Sequence, residues 1–122
     1  MAGDEALDVV SFTAGGYRFA VEARQIDHML DHVPATVMAI EALLGQAPDG
    51  ETGPRRRLQV GTHCIEVGEP VELRAVPAEL IHALPALVAA RTRLKGIRAL
   101  VLEAGKPLLL VDLRAVLAQQ AG

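Results

Sequence analysis

Aromatic residues are nearly absent from this sequence. Its 122 residues include two Phe, one Tyr and no Trp, whereas 51% of them are hydrophobic. A core made from these residues must consist mainly of Val, Leu, Ile and Ala, which favours β-branched strands in small barrels or sandwiches over large aromatic-lined pockets. The length suits one compact domain. We therefore expect a mainly β domain with short helices.

Cysteine, basic clusters and long apolar runs are also scarce. The single cysteine, Cys64, excludes an intrachain disulfide, and its apolar neighbours indicate a buried small hydrophobic residue. The net charge is −3, and the basic run at residues 55–57 is not interleaved with aromatics, so we expect no nucleic-acid binding. The longest strongly apolar run, residues 108–111, is far too short to span a membrane. Since residues 1–8 show no signal peptide, a cytoplasmic protein without membrane insertion is expected.

The residues that usually carry chemistry lack partners at useful spacings. The four histidines, at positions 28, 32, 63 and 82, do not form the convergent set of ligands that a zinc site needs. Gly15 and Gly16 lie between two predicted strands, whereas a phosphate-binding loop leads into a helix N-terminus. Asp112 is better explained as a helix cap than as a catalytic acid. We therefore expect no catalytic residue, no metal site and no cofactor.

Strand and turn signals alternate along the first half of the chain. Apolar runs on either side of Gly15-Gly16 are typical of a β-hairpin. The predicted segments are strands at residues 7–14 and 17–21, a short helical turn and a strand within residues 22–30, and a loop at residues 46–54. A helix is predicted over residues 35–44, with Gly45 as its C-terminal cap. Four apolar residues recur there at helical spacing: Val37, Ile40, Leu43 and Leu44.

Short strands also dominate the second half. The predicted segments are strands at residues 58–61, 63–67, 71–76, 97–103 and 107–111, a helical turn from Pro77, and a helical or irregular stretch at residues 86–90. Asp112 is predicted to cap a terminal helix, because its carboxylate accepts amide protons of the first turn. A weak internal repeat relates residues 11–35 to residues 59–78 and aligns Val33 with Val76.

The order of these segments carries a resemblance to a known family. The match is closer in the second half than in the first. The matching segments are residues 9–21 (a first hairpin), 25–30 (a V-x-E-V-like segment), 77–85 (a helical turn and a P-x-P-like stretch), 96–100 with 105–111 (a closing hairpin) and 112–117 (a closing helix). On these segments the chain resembles the CheW-like domain, the coupling module of bacterial chemotaxis.

The resemblance implies a non-catalytic fold of two small β-barrel lobes with an apolar groove between them. It implies a single domain over residues 1–122, with lobe one at about residues 7–45, a linker at 46–55 and lobe two at about 56–120. Family members are longer between Ile40 and Arg57, where they have an N-L-R-G strand, so we expect the first lobe to be truncated. In this respect the chain is similar to the small CheW-like protein of frizzy-type chemosensory pathways.

The implied function is that of a chemosensory adaptor or scaffold. It would dock the cytoplasmic region of a chemoreceptor, or another CheW-like or kinase component. The truncated lobe lacks the arginine of the N-L-R-G motif, and His28 replaces a family Glu, so we expect weak or no coupling to the histidine kinase. The expected partner-binding residues are Ile26, His28, Met29, Leu30, Val37 and Ile40.

Two other functions remain open on the sequence. One is an accessory decoy module that regulates array assembly, and the other is a small ligand-binding barrel. The helix predicted at residues 35–44 also has three interpretations: it closes the core, docks a partner, or is exchanged between two chains of a homodimer. Exchange between two chains is one of the three because an incomplete barrel joined by a loop favours element swapping.

Overall fold

The computed structural model describes residues 5–30, 36–45, 54–84, 96–103 and 106–120. The strands in these ranges are β1 (Ala6–Ala14), β2 (Tyr17–Glu22), β3 (His28–Leu30), β4 (Met38–Ala39), β5 (Arg55–Val60), β6 (His63–Pro77), β7 (Ile81–Ala83), β8 (Ile97–Glu103) and β9 (Lys106–Val111). The helices are α1 (Ile40–Leu44) and α2 (Leu113–Gln120), and two 3-10 turns lie at Ala23–Gln25 and Ala78–Leu80. The expectation of a mainly β chain with short helices is confirmed.

All of these strands belong to one sheet. Its path runs β3-β5-β6-β1-β2-β9-β8-β7, and β4 pairs with β6 beside that path. The pairing is antiparallel except between β2 and β9 and between β4 and β6. The hairpins predicted around Gly15-Gly16 and within residues 97–111 are confirmed. The path is open among the described strands, so neither expected lobe is a closed barrel in this part of the chain.

Two hydrophobic clusters fill the interior of the part of the chain that the structure describes. The first is the larger and has these buried members: Phe12, Ala14, Phe19, Val21, Ile40, Leu43, Leu44, Leu58, Val60, Ile65, Val67, Val111, Leu113, Val116 and Leu117. The second consists of Val, Ala and Leu residues: Val9, Ala20, Val76, Ala99, Val101, Leu108 and Leu110. Each cluster takes residues from both sides of the linker expected at residues 46–55, and the lobe bounds implied by the resemblance remain a prediction.

The middle parts of the central strands β1, β2 and β9 are buried on both faces. Alternate residues of a strand point to opposite faces of the sheet, and here both faces meet an apolar cluster. On β1, Phe12 belongs to the first cluster and Val9 to the second. On β2, Phe19 belongs to the first cluster and Ala20 to the second. Burial on both faces explains the run of three leucines in β9, whereas β1 and β2 keep polar residues such as Arg18 between their apolar ones.

Strand β6 is one continuous strand of 15 residues, although the sequence predicted two strands separated near Gly68. Its first part pairs with β4 and β5, and its last part pairs with β1. A Cβ atom at Gly68 would lie 2.5 Å from the Thr13 Oγ1 atom, so this close approach requires glycine. The pairing continues because a register shift between Ser11 and Thr13 of β1 accommodates the Gly-Glu-Pro sequence.

The helix predicted at residues 35–44 is much shorter in the structure. It begins at Ile40, and the short strand β4 takes the place of its predicted first turn. Val37 therefore lies outside the helix. Gly45 ends α1 as predicted, with a φ of 81° that favours glycine. The helical spacing was misleading because pairing with β6 competes for the backbone groups of the first turn.

The structure repeats a local arrangement at a different offset from the predicted repeat, whose alignment at Val33 lies outside the described residues. Strand β2, the turn Ala23–Gln25 and β3 follow the same order as the end of β6, the turn Ala78–Leu80 and β7. Glu22 and Pro77 precede the two turns with φ of −58° and −57° and ψ of 131° and 135°. Ala23 therefore corresponds to Ala78. Predictions that lie outside the described residues are those at 33–35, 46–53 and 86–90.

Candidate functional site

The partner-binding residues predicted on β3 lie at one end of the sheet path. β3 pairs with β5, and among the described strands it has no second neighbour. His28 and Met29 are exposed, whereas Leu30 and Ile26 are partly buried, and Ile26 packs against the first cluster. We call these four residues the β3 edge. The structure brings them together, and their role in docking stays a prediction.

The other two predicted residues have different environments. Val37 is half-buried, and Ile40 is fully buried in the first cluster together with Leu43 and Leu44. A side chain without exposed surface makes no contact with a partner in this conformation. Core closure is therefore the role that the structure gives to α1, and Ile40 is a core residue. Exchange of this element between two chains stays a prediction.

An exposed apolar surface that the sequence did not predict lies on β2, β9 and β8. Cross-strand partners share a face of a sheet, and Leu100 pairs with Leu109 and Leu102 with Pro107. Strand β2 pairs in parallel with β9, with Phe19 opposite Leu109. In this register Tyr17, the first residue of β2, lies level with Pro107. Tyr17 and Leu102 are 55% and 48% exposed, and Pro107 is exposed as well. Leu100 and Leu109 are partly buried, and Leu109 also packs against the first cluster. We call Tyr17, Leu100, Leu102, Pro107 and Leu109 the outer apolar face.

The hydrophobic periodicity of the sequence does not identify the outer apolar face. The opposite face of β8 and β9 carries Val101 and Leu108 of the second cluster, so apolar residues occur on both faces of these strands. Periodicity therefore does not distinguish the exposed set from the buried one. The available signal was Tyr17, because it is a rare aromatic residue in this chain and directly follows a Gly-Gly turn.

A polar junction joins the first 3-10 turn to the start of α2. Asp112 caps the helix as predicted, with its Oδ1 atom accepting from the Ala115 amide at 3.0 Å. The buried Gln25 adds a second cap, because its Oε1 atom accepts from the amides of Leu113 and Arg114 at 2.9 and 3.3 Å. Gln25 also donates from Nε2 to Asp112 Oδ1 at 3.2 Å. Sequence reasoning missed Gln25 because its partner is 87 positions away.

An ion-pair network holds α1 against β5 and β6. The Arg55 guanidinium donates to both carboxylate oxygens of Glu41 at 2.8 and 2.7 Å, and to Glu66 at 3.4 Å. The hydrogen bond from Arg55 lowers the pKa of Glu41 below its usual value, and the same bond raises the pKa of Arg55. Both groups are therefore charged at neutral pH. The network positions a helix, and Arg55 engages both oxygens of the Glu41 carboxylate.

Few of the described residues are suited to catalysis or metal binding. Burial raises the pKa of the Cys64 thiol, which disfavours the reactive thiolate. Among the described residues, no group of three or more His, Cys, Asp or Glu side chains is arranged to hold a metal ion. None of the helices that the structure describes has the length and apolar character needed to cross a membrane. The β3 edge and the outer apolar face remain candidate docking surfaces in the described ranges.

The single sheet with a hydrophobic cluster on either face defines a small β-rich domain. A solved structure has the same architecture: the crystal structure of scaffolding protein TtCheW from Thermoanaerobacter tengcongensis matches with a TM-score of 0.66 and 11% sequence identity. The match covers 88% of this chain and 90% of that chain. The chain therefore has a CheW-like fold, as the sequence resemblance implied. No protein-family model matches the sequence, and no curated protein matches it significantly.

Proposed function

We propose that this chain is a non-catalytic cytoplasmic adaptor that docks the cytoplasmic region of a chemoreceptor or another component of a chemosensory pathway. The CheW-like fold carries the proposal, since the match covers 88% of this chain and 90% of a chain described as a scaffolding protein. A fold by itself does not define a function, so a binding surface is also required.

The outer apolar face is the proposed docking surface. Large exposed apolar areas of soluble domains commonly mark interaction sites, and rigid aromatic side chains such as Tyr17 are frequent anchors of interfaces. The face also lies on strands whose backbone is fixed by pairing on both sides, so binding there requires little ordering. The β3 edge is the second proposed surface, because it includes the exposed Met29 at the end of the sheet path.

Calorimetric titration with the cytoplasmic fragment of a chemoreceptor from the same genome tests this proposal. We expect the wild-type chain to bind and Leu102→Glu to bind about 10-fold or more weakly, because a carboxylate would be buried without a partner. Leu73→Glu is the matched control, since Leu73 is 75% exposed on β6 and outside the outer apolar face. Absence of wild-type binding, or equal weakening by both variants, contradicts the proposal. Loss of binding in Met29→Glu alone would assign docking to the β3 edge.

Weak or absent kinase coupling is the finer part of the proposal. It follows from the expected truncation of the first lobe and from His28 in place of a family Glu. We expect no binding to the regulatory domain of the histidine kinase at concentrations that saturate the receptor, and tight binding would contradict this. The accessory decoy alternative predicts competition with a full-length CheW-like protein for the receptor. Simultaneous binding of both proteins to the receptor would exclude it.

Element swapping through residues 38–44 is proposed as the route to a homodimer. The segment contributes Ile40, Leu43 and Leu44 to the first cluster, so its exchange would bury the same apolar side chains in a partner chain. Light scattering coupled to size-exclusion chromatography measures the mass directly. A strictly monomeric mass at high protein concentration would exclude the swap.

A further inference from the structure

Three arginine side chains from separate elements converge where α2 begins. Arg24 lies in the first 3-10 turn, Arg98 in β8 and Arg114 in the first turn of α2. The side chains of Arg24 and Arg98 are 80% and 65% exposed, and Arg114 is exposed as well. Arg24 and Arg98 line a cleft of about 360 Å³ that Leu7 and Leu110 also line. Arg24 and Arg114 line the adjoining depression. We call the three arginines and these walls the arginine cleft.

The guanidinium groups of the arginine cleft have few hydrogen-bond partners among the described residues. A guanidinium has five N–H donors. Arg98 contacts Asp112 at 3.4 Å, Arg24 contacts Glu22 at 3.2 Å, and Arg114 donates to the Arg24 carbonyl at 3.4 Å. Within the described ranges these are the only side-chain hydrogen bonds of the three arginines. Exposed contacts of this kind contribute little to stability, so stability does not explain why three cations are placed together.

The backbone of β8 directs Arg98 into the cleft. The pairing of β8 with β9 shifts between Ile97 and Ala99, which leaves Arg98 as an extra residue in a β-bulge. A bulge re-aims the side chain that it carries. The first amides of α2 are already capped by Asp112 and Gln25, so the binding capacity of the cleft belongs to the guanidinium groups.

We propose that the arginine cleft docks a short acidic peptide segment of a partner protein. Guanidinium groups pair with carboxylates through parallel hydrogen bonds, and the cleft presents three guanidinium groups against the two carboxylates of Glu22 and Asp112. Leu7 and Leu110 provide apolar wall for the methylene groups of such a segment. The net charge of −3 opposes the many phosphates of a long nucleic acid more than the few carboxylates of a short peptide. This inference does not depend on the chemosensory role.

Fluorescence anisotropy with a labelled hexaglutamate peptide at an ionic strength of about 0.15 M, where distant surface charges are screened, tests the cleft. We expect the wild-type chain to bind this peptide and Arg24→Gln/Arg98→Gln to bind it roughly 10-fold more weakly, because charge-assisted hydrogen bonds are lost. The matched control Arg18→Gln/Arg56→Gln removes the same charge elsewhere, and its affinity should change less than about twofold, as expected for screened surface charges. Thermal unfolding of both variants verifies that they fold.

Three results would overturn the proposal. The first is absence of hexaglutamate binding to the wild-type chain. The second is an equal loss of affinity in the cleft variant and the control variant, which would show that net charge alone attracts the peptide. The third is tighter binding of a single-stranded oligothymidylate than of hexaglutamate, which would assign the cleft to nucleic acid.

Discussion

The two hydrophobic clusters lie on opposite faces of the same central strands, yet they are closed in different ways. The first contains both phenylalanines, stacked with ring centroids 6.0 Å apart, and it is covered by helices that polar contacts hold in place. The second contains Val, Ala and Leu residues, and the ion pair between Arg74 of β6 and Glu103 of β8 links strands beside it. The stability of the first cluster therefore depends on large side chains and on capped helices, whereas that of the second depends on strand pairing.

The largest expected effect is the loss of an aromatic ring from the first cluster. Phe12→Ala should reduce the free energy of unfolding by about 3–5 kcal/mol, because it removes a fully buried ring and leaves a cavity. Leu108→Ala in the second cluster should cost about 2–3 kcal/mol, since fewer atoms are removed beside smaller neighbours. Urea denaturation measures both values. An equal or larger loss for Leu108→Ala would remove the distinction between the clusters.

The next effect concerns the second cap of α2. Gln25→Ala should cost about 1–3 kcal/mol, because the buried amide of Leu113 and its neighbour lose their acceptor. Gln59→Ala is the control, because its side chain donates an exposed hydrogen bond to the Gly61 carbonyl. This variant should cost less than about 0.5 kcal/mol. Circular dichroism during thermal unfolding measures the difference. Equal effects would mean that Asp112 alone caps the helix.

The ion pair that holds α1 predicts a smaller, pH-dependent effect. Glu41→Gln should cost about 1–2 kcal/mol at neutral pH, because it weakens a partly buried bidentate pair with Arg55. The pKa of Glu41 is lowered in the folded chain, so this stabilisation is present above the unfolded pKa and is lost as pH falls through the folded value. The gap between wild type and variant should therefore narrow below about pH 4.5, the ordinary pKa of the group.

Urea denaturation at a series of pH values measures this gap. Glu79→Gln is the control, because Glu79 is exposed and makes no ion pair within the described ranges. It should leave both the stability and its pH dependence nearly unchanged. A gap that widens towards acid would contradict the lowered pKa of Glu41.

The smallest effect is expected beside the second cluster. Arg74→Gln removes the ion pair with Glu103 and should cost less than about 1 kcal/mol, because both groups are partly exposed to solvent. Raising the salt concentration should reduce the difference from wild type further. If denaturation instead shows a loss comparable to that of Phe12→Ala, then the second side also depends on polar closure.

The parts of the fold that depend on local sequence were predictable. The hairpin at Gly15-Gly16, the first 3-10 turn and the capped start of α2 all follow from signals within a few residues. Strands β4 and β7 were not predicted, because they have two and three residues and exist only through pairing with β6 and β8. The same holds for Gln25, whose role depends on a helix at the other end of the chain.

The candidate site was predicted only in part. The sequence led to the β3 edge, whose residues the structure does bring together, and also to Ile40, which the structure buries. It did not lead to the outer apolar face, since exposed and buried leucines alternate there without a polar contrast. Nor did it lead to the arginine cleft, because Arg24, Arg98 and Arg114 meet only through tertiary packing.

Burial of the central strands on both faces changes what keeps them correctly aligned as the chain folds. When one face is solvated, slippage by one residue turns polar side chains inward and is penalised strongly. On β2 this penalty persists, because slippage by one residue would turn Arg18 and Glu22 towards the first cluster. Size adds a second penalty, since Phe12 and Phe19 would enter the side that holds the small Ala20, where overpacking opposes them. Faithful alignment of the sheet thus relies both on these charged side chains and on two bulky rings among many small side chains.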